Sequence, residues 1–86
     1  MRGRDLVAAN VRRIRVGLGV SQERLAFDAG VDRSYLGGME RGEANPTVDM
    51  LDRIAETLGV PLMELFENVD PDSTQKSGLP RGRKPG

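Results

Sequence analysis

The sequence predicts an all-α fold of five short helices in one small domain, followed by a flexible tail. Three observations lead there. The chain has 86 residues, enough for one hydrophobic core and too few for two. Its only aromatic residues are Phe27, Tyr35 and Phe66, so the core falls to Leu, Val, Ile, Met and Ala, a palette that suits small helices better than a sheet. Finally, the apolar residues recur at spacings of three and four in segments punctuated by glycine and proline.

Each element follows from that spacing. Val7, Val11, Ile14 and Leu18 form one stripe of a first helix, ended by Gly17 and Gly19, while Arg12, Arg13 and Arg15 lie largely off the stripe. Ser21 is placed to cap a second helix, whose narrow apolar face is Leu25, Ala26 and Ala29, and Gly30 stops it. Asp32 caps a third, with Leu36 and Met39 facing inward and Gly42 as its stop. The loop from Glu43 to Pro46 carries an Asn-Pro turn signal, and Thr47 then caps a fourth helix with a full stripe of Leu51, Ile54, Ala55 and Leu58. Gly59 ends it. Pro61 fits the first turn of a fifth helix bearing Leu62, Leu65 and Phe66. From Asp70 onward Pro, Asp, Ser, Gly and Lys/Arg predominate, which predicts a domain over residues 1–68 and a flexible basic tail over 69–86.

Composition narrows the chemistry. With neither cysteine nor histidine, the chain lacks thiolate nucleophiles, disulfides, the usual zinc ligands and the imidazole base. No metal, cofactor or small-molecule ligand is expected. The carboxylate pairs Asp49/Asp52 and Glu64/Glu67 sit three residues apart, as on a solvated helix face, and no glycine-rich phosphate loop accompanies them, so no catalytic residues and no enzyme activity are expected. No apolar run is long enough to span a membrane, and the basic start is broken by Asn10 and three arginines, unlike a signal peptide. A cytoplasmic protein is expected. The formal net charge is zero, yet residues 1–15 sum to +4, residues 16–68 to −6 and residues 69–86 to +2. Positive charge is thus concentrated in the first helix and the tail.

Gln22 to Gly42 holds the informative pattern. Counted from Gln22, the fifth residue is Ala26, the ninth Gly30, the tenth Val31, the fifteenth Leu36 and the eighteenth Met39. A small residue at the fifth place lets two helices cross closely, a glycine at the ninth can take positive φ in the turn, and the apolar residues lock the angle. This is the arrangement of a helix-turn-helix, which presents the start of its second helix to the DNA major groove.

The wording Leu18-Gly19-Val20-Ser21-Gln22-Glu23, Leu25-Ala26, Gly30-Val31, Glu40-Arg41-Gly42, Asn45-Pro46 and Leu58-Gly59-Val60 resembles the phage-repressor and Cro-like (XRE) helix-turn-helix family over residues 6 to 67. The stretch Asp32 to Gly42 with Asn45 looks especially like the controller proteins of restriction-modification systems. The resemblance implies a compact, lambda-repressor-like five-helix domain. Its expected partners are double-stranded DNA, a second copy of the chain and, for an activator, RNA polymerase.

The resemblance also implies roles for individual residues. Gln22 looks like the family glutamine that bonds a phosphate. Arg33, Ser34 and Tyr35 occupy the first turn of the recognition helix: Arg33 can pair with guanine O6 and N7, Ser34 can meet a base edge or a phosphate, and Tyr35 either contacts DNA or covers the turn. Arg41 and Asn45 look like backbone clamps, whereas Ala44 stands where controllers are often basic. The adjacent Gly37 and Gly38 each cost a helix about 1 kcal/mol relative to Ala; the functional reading is that Gly38 and its neighbour let the backbone approach DNA closely. Arg13 either reaches a phosphate or lies on a solvated face. Leu62, Leu65 and Phe66 either make a two-fold dimer interface or close the monomer core. In the tail, Arg81-Gly82-Arg83 resembles the minor-groove AT-hook, although Lys84 intervenes before the expected proline; the other reading is a generic basic tail. The function implied is a homodimeric, sequence-specific transcriptional regulator on a pseudo-palindromic operator. The competing reading is an antitoxin, disfavoured because the tail lacks an amphipathic partner-binding helix.

Overall fold

The computed structural model describes residues 2–68, and among them the chain forms α1 (Gly3–Gly17), α2 (Gln22–Ala29), α3 (Arg33–Glu40), α4 (Val48–Leu58) and a terminal 3₁₀ helix (Leu62–Phe66). The tail residues Arg81, Gly82 and Arg83 lie outside this range. The three caps expected from sequence are present: Ser21 Oγ accepts from the Arg24 amide at 3.0 Å, Asp32 Oδ2 from Tyr35 at 3.1 Å and Thr47 Oγ1 from Met50 at 3.0 Å. Each satisfies one of the amides that a helix start leaves without an intrahelical partner. Gly30 closes α2 in the left-handed region at φ 70°, so the chain turns at once into α3.

One core unites the elements. α1 packs on α3 and the 3₁₀ helix, α2 on α3 and α4, and α4 on the 3₁₀ helix. Val11, Leu25, Leu36, Met39, Ile54 and Leu65 are its most deeply buried large apolar side chains. Ala26 is buried where α2 meets the core, the small residue the helix crossing requires. Among the described residues no helix is long and apolar enough to cross a membrane.

Three expectations need correction. Leu18 does not continue the α1 stripe: the helix ends at Gly17 and Leu18, its C-cap, is exposed. The expected fifth α-helix is a 3₁₀ helix of five residues, and Pro61 precedes it instead of lying in its first turn. So short a segment gains little from α-geometry, and the Glu64 amide bonds the Pro61 carbonyl at 2.9 Å, three residues back. Finally, Leu65 is fully buried in the monomer core and Leu62 packs partly against it, leaving Phe66 and Met63 as the exposed apolar residues of this segment.

The 3₁₀ helix is fixed by a residue whose role the sequence did not disclose. Asn10 of α1 is fully buried, and its amide nitrogen donates to the carbonyls of Leu65 at 3.0 Å, Glu67 at 2.7 Å and Leu6 at 3.1 Å. Its Oδ1 accepts from Arg13 Nη2 at 2.9 Å. The side chain therefore staples the end of the described chain to α1 with both of its polar atoms satisfied.

Candidate nucleic-acid interface

The surface of α3 is set by what its other side buries. Leu36 and Met39 face the core, so helical spacing turns Arg33, Ser34, Gly38 and Arg41 away from it, while Gly37 is buried beside Gln22 and Arg41. The Arg33 and Arg41 side chains are largely exposed. Arg33 Nε lies 3.7 Å from Glu23 Oε2, and Arg41 Nε lies 3.2 Å from Glu43 Oε1, so each guanidinium leans against an exposed carboxylate. Tyr35 is half-buried and packs against the core, in keeping with a ring that covers the turn.

The two glycines of α3 lie beneath the side chain of Arg41. A Cβ at Gly37 would lie 3.4 Å from Arg41 Nη1 and 3.8 Å from Gln22 Oε1; one at Gly38 would lie 3.8 Å from Arg41 Nη2. The Arg41 guanidinium is folded back along the helix over both glycines. The close approach of the α3 backbone to DNA expected at Gly38 and its neighbour would therefore take place beside the Arg41 guanidinium.

Behind this face a buried ion pair holds the helices in register. Arg15 of α1 donates from Nε to Glu40 Oε2 at 2.7 Å and from Nη2 to Oε1 at 3.0 Å, while its Nη1 donates to the Val20 carbonyl at 2.7 Å. Gln22 Nε2 donates to the same Glu40 Oε1 at 3.0 Å. One carboxylate thus ties the end of α3 to α1, and to the first residue of α2. Burial alone would raise the Glu40 pKa, but the hydrogen bonds from Arg15 and Gln22, with the positive charge of Arg15 and Arg12, outweigh it and hold the pKa below the ordinary carboxylate range. The same hydrogen bond, aided by the charge of Glu40, raises the Arg15 pKa against the opposing effect of burial.

The remaining expected site residues divide. Gln22 sits beside α3, with one amide hydrogen engaged by Glu40. Asn45 lies after α3 and lines a pocket of about 250 Å³ with Gly3, Val7, Pro46, Val48 and Phe66. Arg13 is not beside Gln22: it points from the other side of α1, bonded to Asn10 and 3.9 Å from Glu64 of the 3₁₀ helix. The two-residue separation from Arg15 turns it about 200° around α1. Arg15 and Glu40 themselves were absent from the expected site, although Arg15 lies in the arginine cluster and Glu40 in the family wording.

Comparison with known proteins gives a consistent set. The helix-turn-helix family model HTH_3 matches residues 11–65. The uncharacterized HTH-type transcriptional regulator y4dJ of Sinorhizobium fredii is 40% identical over 67 residues, covering 78% of this chain and 87% of that protein. Control protein C.BamHI of Bacillus amyloliquefaciens is 37% identical over 65 residues, covering 74% and 80%. Among solved structures, the hypothetical transcription factor NHTF from Neisseria superposes with a TM-score of 0.76 at 34% identity, covering 88% of this chain and 85% of that one. The restriction-modification controller protein C.AhdI from Aeromonas hydrophila superposes with a TM-score of 0.71 at 40% identity, covering 73% and 96%.

Proposed function

The chain belongs to the helix-turn-helix family HTH_3, and from that premise we propose that it is a sequence-specific DNA-binding transcriptional regulator acting as a homodimer. Its operator is pseudo-palindromic, with half-sites about 34–36 Å apart on one face of the duplex. The observation that carries this reading is the α3 surface, where Arg33, Ser34 and Arg41 share an exposed face beside Gln22 while a buried ion pair fixes the angle at which the helix is offered. Within that role, resemblance to C.BamHI and C.AhdI favours a controller of a restriction-modification system. A methyltransferase gene and an endonuclease gene beside its own would mark that narrower role.

The dimer surface includes Phe66 and Val48, exposed apolar side chains that line the pocket between the start of α4 and the end of the 3₁₀ helix, with Met63 exposed on the same 3₁₀ helix. The basic residues of the tail add sequence-independent attraction to phosphates.

Selection of bound sequences from random DNA, followed by a mobility shift with Arg33→Ala, tests the central reading. The wild type should yield one two-fold-related site, and Arg33→Ala should weaken it by about 1–3 kcal/mol, with discrimination lost at one guanine. Absence of any preferred site at physiological salt would overturn the proposal.

A further inference from the structure

We infer that Arg41 reads a guanine from its place over Gly37 and Gly38, making it a specificity-determining residue instead of a backbone clamp. The inference rests on the DNA-binding reading above and names what that site recognises.

The argument begins with reach. Arg41 stands eight residues after Arg33, about 12 Å along the helix axis, which would set it near the edge of the contact made by an eight-residue recognition helix. Its side chain does not extend outward from there. It leans toward the helix N-terminus, as helical side chains do, and its guanidinium lies over Gly37 and Gly38. The charge is thereby carried back about one turn, beside Gly37 and Gly38 and toward Arg33 and Ser34.

Orientation supplies the second step. Glu43 engages Nε from one edge at 3.2 Å, so the Nη1 and Nη2 end of the fork remains for a ligand. Those are the two nitrogens nearest the glycines. Two parallel donors on a rigid plane match the O6 and N7 acceptors of guanine in the major groove, the commonest specific contact of arginine with a base. With glycine at 37 and 38, no larger side chain competes with this guanidinium for the same surface.

The test uses the full chain and the site selected by the wild type, with affinities measured for that site and for every single-base variant of one half-site. Arg41→Ala should flatten discrimination at one G·C pair by about 5- to 150-fold, the equivalent of a good bidentate contact, while preferences at other positions persist. Arg41→Lys, which keeps the charge without the planar fork, should lose the same discrimination. Gly37→Gln, which sets a larger side chain against the guanidinium and improves helix propensity, should lose it too. If Arg41→Ala instead weakens all variants equally, reduces the salt slope by about one phosphate contact and is rescued by Arg41→Lys, Arg41 is a clamp and the inference fails. If the wild type selects no site at all, the DNA-binding reading fails with it.

Discussion

Glu40 keeps a charge with only 3% of its side chain exposed because Arg15 offers two parallel donors and Gln22 a third. Such a pair is poor evidence for net stability, yet breaking it is costly, since the surviving partner is left charged and dry. Glu40→Gln is therefore expected to destabilise the fold by about 3–5 kcal/mol, measured by urea denaturation. The same residue sets an acid sensitivity. Its folded-state pKa is depressed, so its contribution is fully present above the unfolded-state value and is lost as pH falls below about 4. The gap in stability between wild type and Glu40→Gln should narrow over that acid range, and a gap unchanged down to pH 3 would contradict the depressed pKa. Arg41 shows where sequence reasoning stops at this scale: its position on the exposed face follows from counting, but the folded-back rotamer depends on packing against two glycines and a neighbouring carboxylate.

Helix starts were legible because their determinants are local. Ser21, Asp32 and Thr47 each bond an amide three residues ahead, and the cap and its partner sit in one short window of sequence. The end of the fold was not legible for the opposite reason. Asn10 acts on carbonyls 55 and 57 residues away, and on an otherwise polar-to-apolar stripe it reads as an ordinary interruption. Nor does spacing alone decide between a short α-helix and a 3₁₀ helix, or between Leu65 as core and Leu65 as interface; both depend on how closely the segment is drawn onto α1 and α4. Asn10→Ala leaves the Leu65 and Glu67 carbonyls without this donor and should cost about 2–3 kcal/mol. Hydrogen exchange should show the loss concentrated at the 3₁₀ helix, with α2 and α3 protected as before; uniform loss across all helices would argue against a local staple.

Across the whole molecule, zero net charge hides a division of labour. The described body is rich in carboxylates, and the two arginines of the α3 face each lean on one of them. Attraction to nucleic acid of arbitrary sequence is thereby muted, and binding depends more on geometry than on bulk charge. Geometry at this scale, in the proposed homodimer, means two copies held at a set distance. Phe66 is 45% exposed, so Phe66→Asp should leave the monomer folded while shifting sedimentation at micromolar concentration from dimer to monomer. A dimer unchanged by that charge would place the interface elsewhere.

The Asn10 staple also orders events in time. Phe66 and Met63 are borne on a segment held in place by bonds from α1, so the proposed dimer surface takes its shape only when the first and last elements of the described chain have met. In the proposed dimer, folding would run ahead of pairing, a first-order step preceding a second-order one.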